Sequence, residues 1–449
     1  MSPAPTSTED FRPDEALARA TRSFEVWRGA SRRVRIDLLE AWREEVRRSL
    51  PDLARGISEE TGKPIAQATA EVQRGLMTLR ATAEAVAAFG EEAIPYDLLP
   101  GGAGCRAVLR RFPVGPVLAI TPFNFPVNLA LHKLAPALGA GCSVVWKPCP
   151  QASRTSALLL DGLLRATPDA LPEHLVQMAD VAPAVAEGLA KDPRIALVSF
   201  TGSERVGLHL RGVLGGKPLV LELGGNAAVV LDASVDPVQA ARALAPAAVA
   251  SAGQSCCKAQ RIYVEAAGFE AFAEAFVGAV RALPVGDPLD PATVVGPLID
   301  EAVAARLEAA VDRAVDAGAT ALLRGTRRGR LLPPAVLTGV ADSDPLCCEE
   351  LFGPVTVLTA VADFEEGLAR AAATRFGLRA SVYTRNLGRW ARAREVLRAG
   401  CVLLNLPPTY RVDAAPFGGL AASGQGLEGP RFALEAFSEA RLHVEGPAL

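Results

Sequence analysis

Residues 196–226 read ALVSFTGSERVGLHLRGVLGGKPLVLELGGN. Two short apolar runs, 196–200 and 218–221, each end in polar or glycine residues, and a stretch of helical spacing lies between them. Short apolar runs bounded by glycine and proline fit strands buried on both faces. The first passes into Thr201-Gly202-Ser203, with Gly207 beyond, and the second into Glu222-Leu223-Gly224-Gly225-Asn226. Strand, helix and strand in this order form the unit of a parallel sheet.

The same unit recurs on both sides. Residues 117–120, 143–146 and 175–178 precede it as further strands, and 227–231, 261–264, 354–358, 380–383 and 401–404 form a second alternating series. The fold class is therefore α/β, two tandem α/β domains, with the flexible Gly224-Gly225 pair as their boundary. The first ninety residues read as helices: Phe24, Trp27, Val34, Leu38, Leu39, Trp42 and Val46 recur at helical spacing. Asp52, Gly56, Gly62 and Pro64 punctuate them before a second helical stretch over 65–89. Residues 95–113, with Gly101-Gly102 and Gly104, read as an extended ribbon with a turn, and 440–445 as a last strand.

Composition narrows the function. Half of the 449 residues are hydrophobic, 22% are charged and the net charge is -3, the profile of a globular protein with no electrostatic reason to bind nucleic acid. No uncharged apolar stretch is long enough for a membrane span, and the polar, proline-bearing N-terminus does not read as a secretory signal. Eight cysteines include the adjacent pairs Cys256-Cys257 and Cys347-Cys348 but no C-x-x-C, and the four histidines are scattered. Reduced thiols, a cytoplasmic location and no metal are expected.

Polar groups gather where the predicted strands end. The strand at 117–120 runs into Thr121-Pro122-Phe123-Asn124-Phe125-Pro126, and that at 143–146 into Lys147-Pro148. Four of these strands thus deliver polar groups to the carboxyl edge, where open α/β sheets bind ligands. Gly253-Gln254-Ser255-Cys256, Glu350-Leu351-Phe352-Gly353-Pro354 and Pro416-Phe417-Gly418-Gly419 follow.

With these motifs in this order, the chain resembles the aldehyde dehydrogenase superfamily. The likeness runs from Glu60-Thr61-Gly62-Lys63-Pro64 to Ser423-Gly424 and Gly429-Pro430. Leu404-Asn405 with Pro408-Thr409-Tyr410-Arg411-Val412-Asp413 looks most like bacterial lactaldehyde-dehydrogenase-type members. The resemblance implies a Rossmann-like cofactor domain (1–94 and 115–225), a catalytic domain (226–437) and a protruding β oligomerisation element (95–114 and 438–449), in a homodimer or homotetramer.

It also implies the chemistry: oxidation of a small-molecule aldehyde to an acid with NAD or NADP. Cys256 is then the nucleophile, forming a thiohemiacetal and, after hydride leaves, an acyl thioester. Asn124 and the Cys256 backbone N–H would stabilise the oxyanion. Glu222 would act as general base on the water that releases the acid. Lys147 would hold the adenosine ribose, Gly202, Ser203 and Gly207 the pyrophosphate at a helix start, and Glu350 the nicotinamide ribose with Phe352 beside it. Thr121, Pro122 and Leu223 complete the cofactor set. The substrate tunnel would be lined by Phe125, Leu129, His132, Arg411 and Phe417. Arg411 would either meet an anionic or hydroxyl group of the aldehyde or pair with Asp413.

Three departures stand out. Pro150 occupies the position where many relatives carry a ribose-binding glutamate, which favours tolerance of NADP+. Ala179-Asp180 replaces a frequent glycine, and an inward-pointing acid there would oppose a 2′-phosphate. Ser251 stands where asparagine is usual, and the exchange reads as conservative. Two other readings remain, a CoA-acylating relative and a catalytically silent oligomeric homologue. Retention of Glu222 speaks against the first, and Asn124, Glu222, Cys256 and Glu350 together against the second.

Overall fold

The computed structural model describes residues 11–98, 100–166 and 172–447; residues 1–10, 99, 167–171, 448 and 449, including part of the expected N-terminal, ribbon and tail segments, lie outside it. The chain opens with helices α1 (Pro13–Trp27), α2 (Arg32–Arg48), α3 (Leu50–Thr61) and α4 (Ile65–Ala88). Ser31 starts α2 by accepting the Val34 N–H. Leu38, Leu39, Trp42 and Val46 form its buried stripe, whereas Val34 is 42% exposed and does not join the expected core.

Asp52 and Gly56 do not break the chain as expected; α3 runs through both. Gly56 is needed for closeness, since a Cβ there would lie 2.7 Å from Thr155 Oγ1. Gly62 (φ 78°) then ends the helix in the left-handed region.

Beyond the helices, strands β1 (Glu92–Ile94) and β2 (Arg106–Pro113) frame the ribbon, with two short 3-10 turns between them. The first parallel sheet takes β3 (Val117–Ile120), β4 (Val144–Lys147), β5 (Val176–Met178), β6 (Leu197–Thr201) and β7 (Leu219–Glu222). Helices α5 (Asn128–Ala140), α6 (Ser153–Ala166), α7 (Pro183–Lys191) and α8 (Glu204–Leu214) make its crossovers. The second sheet contains β8 (Ala228–Leu231), β9 (Arg261–Glu265), β10 (Thr320–Leu323), β11 (Ala335–Thr338) and β12 (Val355–Val361). Helix α9 (Pro237–Val249) leads from β8 toward β9. After the short β13 (Phe376–Gly377) come β14 (Arg379–Tyr383), β15 (Cys401–Leu404), β16 (Leu420–Ala421), β17 (Gly424–Gln425) and β18 (Ser438–Glu445).

The first sheet has the order β17-β7-β6-β3-β4-β5 and the second β10-β11-β12-β9-β8-β14-β15. Both are parallel except at one edge, where β17 and β10 run antiparallel. In the first sheet the order turns back between β3 and β6, a switch point that leaves a crevice at their carboxyl ends. The chain also re-enters the first layer late: β17 pairs with β7, and Ala433, Leu434 and Phe437 pack into the core of α2, α4 and α5. β18 pairs with β2 over eight residues, from Ser438 opposite Pro113 to Glu445 opposite Arg106, and completes a three-stranded sheet with β1. Strands β10 and β11 were absent from the expected set. One lies at an exposed edge and the other follows Pro333-Pro334, so neither shows a long apolar run.

Candidate active site

The loop after β3 carries Asn124 and leads directly into α5. Its backbone is held from α4: Glu71 Oε1 accepts the N–H of Val127 at 2.9 Å and of Asn128 at 3.2 Å. Lys63 neutralises that buried carboxylate. The Asn124 amide therefore sits on a fixed loop, and its Nδ2 donates to Gln254 O at 3.1 Å.

Gln254 belongs to the turn that presents Cys256. After α9 three successive residues, Ser251 (φ 52°), Ala252 (φ 53°) and Gly253 (φ 67°), adopt left-handed backbone. Such conformations cost non-glycine residues roughly 1–2 kcal/mol each. Several contacts hold the turn: Ser251 Oγ donates to Gln67 Oε1 at 2.5 Å, and Gln254 Oε1 accepts the Ile299 N–H at 2.9 Å. A Cβ on Gly253 would lie 2.2 Å from Gly353 O. Ser251 is thus not a neutral exchange, because asparagine tolerates this region better than serine.

Cys256 is half-buried and Cys257 buried, packed with Leu378 and Phe417. The two sulfurs lie 3.6 Å apart. The hydrogen bond to Cys257 pushes the Cys256 thiol well above its ordinary range, helped by burial and by the nearby carboxyls of Glu350 and Glu222. A Cβ on Gly225 would lie 2.2 Å from Cys256 O, so the glycine pair after β7 lets the two layers meet at Cys256.

Glu222 ends β7 and is 3% exposed, and neither of its oxygens has a hydrogen-bond partner among the described residues. Burial pushes its carboxyl well above the carboxylate range, and the charge of Glu428 adds to the effect. Burial pushes Glu428 the same way, but Lys133, which bonds it and Ser199 Oγ, holds it below the usual value. The two neighbouring buried carboxyls are thus pushed in opposite directions, Glu222 up and Glu428 down.

These groups share one cavity of about 740 Å³. Thr121, Pro122, Lys147, Gly202, Ser203, Leu223, Glu350 and Phe352 line it, as do Asn124, Glu222 and Cys256. Glu350 Oε1 accepts the Gly225 N–H at 3.0 Å, while a Cβ on Gly224 would lie 2.8 Å from Oε2. The flanking backbone is pinned by Asn226 to Cys347 O and Glu349 O, and by Gln260 to Glu349 O and the Leu351 N–H. Burial raises Glu350 to about 7. Phe352 meets Phe123 edge-on at 5.9 Å.

Gly207 does not line the cavity. It lies inside α8, where a Cβ would fall 2.3 Å from Leu223 Cδ2, so it brings the helix against the end of β7. Ser203 makes no side-chain cap bond, which leaves the first-turn N–H groups of α8 available. Asp180 does not point inward either: its Oδ2 accepts the Ser153 hydroxyl at 2.6 Å. Beside Lys147 the wall is Cys149 and Pro150, without a carboxylate.

Of the expected tunnel residues, Phe125, Leu129, Arg411 and Phe417 line the cavity and His132 does not. His132 is 0% exposed, with Nε2 3.0 Å from both Asp413 Oδ1 and Arg411 Nη2. Burial, with Arg411, pushes it down to about 4, so it is neutral. Helix α5 begins at the cavity and climbs about 1.5 Å per residue, which carries His132 behind the wall. Sequence reading missed Arg74, Arg379 and Glu428, which also line the cavity, and Lys133 behind them. The available signal was charge inside apolar runs: Lys133 in α5 and Arg379 at the start of β14.

The profile of the aldehyde dehydrogenase family matches residues 4–442. The chain belongs to this family. It is 36% identical over 394 residues to the 3-sulfolactaldehyde dehydrogenase of Priestia aryabhattai, covering 88% of this chain and 82% of that one. To the lactaldehyde dehydrogenase of Methanococcus maripaludis it is 31% identical, covering 98% and 93%. The fold superposes on an NADP-dependent glyceraldehyde-3-phosphate dehydrogenase from Bacillus halodurans complexed with NADP, with TM-score 0.94, 31% identity and coverage of 98% and 92%. Like other aldehyde dehydrogenases it is an NAD(P)-dependent oxidoreductase that converts aldehydes to acids through a cysteine-bound intermediate, and its two sheets correspond to a Rossmann-like cofactor domain and a catalytic domain. The cavity of this dehydrogenase fits such a dinucleotide: Gly224 leaves room beside Glu350, and the uncapped start of α8 opens at Gly202 and Ser203 in the lining, where its N–H groups suit an anion. Among the described residues no helix is long and apolar enough to cross a membrane, and no cluster of metal-ligating side chains occurs.

Proposed function

We propose that Cys256, Asn124 and Glu222 perform the oxidation. Cys256 loses its thiol proton to solvent, its Sγ forms a bond to the carbonyl carbon, and the C=O π pair moves to the carbonyl oxygen as an oxyanion. Asn124 Nδ2 spends one hydrogen on Gln254 O and has a second to donate to that oxygen, alongside the Cys256 N–H. The nicotinamide, when bound, supplies the hydride acceptor. Cys256 then holds the acyl group as a thioester, and ionised Glu222 takes a proton from the water that cleaves it. The observation carrying this reading is the shared cavity of a pinned amide, a thiol and an unpartnered buried carboxyl.

Lys147, Thr121, Pro122, Gly202, Ser203, Leu223, Glu350 and Phe352 would hold the dinucleotide, with Gly207 acting through helix packing. The wall at Lys147, Cys149 and Pro150 itself carries no acid, and Asp180, whose charge reaches Lys147, is engaged by Ser153, which supports use of both NADP+ and NAD+. An aldehyde panel with each cofactor tests this. Turnover with both is expected, with none in Cys256→Ala. Residual turnover in that variant, or exclusive use of NAD+, contradicts the corresponding part.

The domain division 1–94 with 115–225, 226–437, and 95–114 with 438–449 accords with the sheets, apart from the late return of β17 and residues 430–437 to the first layer. The ribbon of β1, β2 and β18 exposes Leu442 and Val444 and suits contact with a second copy, in a homodimer or homotetramer. Sedimentation at a multiple of 46.9 kDa is expected, and a monomer overturns the assignment. Eight free thiols accord with a reducing cytoplasm.

A further inference from the structure

Five cationic side chains pack in and behind the cavity wall on the Phe417 side: Lys63, Arg74, Lys133, Arg379 and Arg411. Three are matched. Lys63 pairs with Glu71, Lys133 with Glu428, and Arg74 holds Asp413 through two bonds of 2.9 and 2.7 Å. Two are left over. Arg411 reaches the already engaged Asp413 only at 3.4 Å, and its Nε has no hydrogen-bond partner. Arg379 is 8% exposed and forms no ion pair among the described residues. Its one hydrogen bond runs from Nη1 to Tyr410 O, and its buried Nε is unpartnered.

Both guanidiniums stand against one ring, with Cζ 4.0 Å (Arg411) and 5.1 Å (Arg379) from the Phe417 centroid. Phe417 itself packs with Cys257, and Cys256 lies against the same cluster. The other acids of the cavity do not answer this charge. Glu428 is committed to Lys133, Glu349 to Arg375, Glu350 is bound at Gly225, and burial pushes the Glu222 carboxyl well above its ordinary range. Buried cations without a counter-charge of their own are costly, as with Arg379 and with Arg411, which shares Asp413 with Arg74, and a carboxylate, sulfonate or phosphate matches a guanidinium's donor fork.

We propose that Arg379 and Arg411 form an anion subsite beside Phe417, so that the preferred substrate is a short aldehyde carrying a carboxylate, sulfonate or phosphate at its far end. The proposal rests on Cys256 as nucleophile, because it sets the aldehyde end of the substrate next to that sulfur.

The test compares kcat and KM for succinate semialdehyde, sulfoacetaldehyde, glyceraldehyde 3-phosphate and neutral butanal, in the intact enzyme and in Arg379→Met, Arg379→Lys and Arg411→Leu. At least one anionic aldehyde is expected to exceed butanal in kcat/KM. Arg379→Met should cost that substrate about 100-fold, mainly in KM, as loss of a buried charge partner does, while butanal changes little. Arg379→Lys should restore part of the loss. A preference for butanal in the intact enzyme, or equal losses for charged and neutral aldehydes, overturns the proposal. Because Cys256→Ala removes only the nucleophile, succinate should still raise its Tm, and Arg379→Met should cancel the rise. Persistent butanal turnover in Cys256→Ala would instead defeat the nucleophile assignment. Absence of a Tm rise with succinate, with sulfoacetate and with glycerol 3-phosphate would defeat the subsite.

Discussion

In the proposed mechanism Glu222 acts as a base, whereas its surroundings favour the protonated form, and this conflict has measurable consequences. Its carboxyl is raised well above the usual range by burial first and Glu428 second. The active form is the carboxylate, so kcat should fall as pH drops through that raised value, on an acid limb well above ordinary glutamate. The stability sign is opposite. From the unfolded pKa of about 4.3 upward, the unfolded chain has lost its proton while the folded one keeps it, so rising pH destabilises the fold until Glu222 ionises. Glu222→Gln should therefore have a higher Tm than the parent at pH 8, with the gap closing near pH 4. Thermal unfolding at both values checks this, and an unchanged or lowered Tm at pH 8 contradicts the environment assigned to Glu222. Such a gain in stability bought by lost activity is common where a site holds a group against its preference. Single residues were readable where they ended or followed strands, as with Glu222 and Asn124, or stood in a specific motif, as with Cys256 and Glu350, and all four reach the cavity. His132 was not, because residue type cannot tell which turn of α5 faces the opening. Lys133 and Glu428 escaped notice because they find each other only from opposite parts of the chain.

Helix α8 and strand β7 show how an element positions a ligand site without touching it. Gly207 lets the helix lie on Leu223, and this sets where the N–H groups after Ser203 point. Gly207→Val inserts three carbons into a space already closed. A cost of about 1–3 kcal/mol is expected, together with weaker cofactor binding. Denaturant unfolding and NADP+ titration check this; unchanged affinity in a folded variant would mean that α8 does not set the pyrophosphate position. The parallel strands were visible as apolar runs because both of their faces are buried. Strands β10 and β11 were not, being an edge pair with proline before the second. Helix α3 was hidden by Gly56, whose reason is contact with Thr155 rather than a turn. The left-handed turn from Ser251 to Gly253 has no sequence signal beyond its glycine.

Across the whole molecule, two sheets meet at Gly224-Gly225, which brings Cys256 against the end of the first sheet. The tandem α/β plan followed from the alternation of strands and helices. The return of β17 and residues 430–437 to the first layer did not, since nothing local marks which core a late segment joins. That return places Glu428 beside Glu222 and so couples the chain's end to the base. The arrangement assigns bond formation to Cys256 and hydrolysis to Glu222, two steps that one variant separates. Mixing Glu222→Gln with aldehyde and NADP+ and following reduced cofactor by stopped flow, with mass spectrometry of the quenched protein, is the most direct measurement. One equivalent of reduced cofactor per active site should appear in a burst and then stall, with the acyl group on the peptide at Cys256. No burst, or an acyl group on Cys257 or another residue, would contradict the assignment.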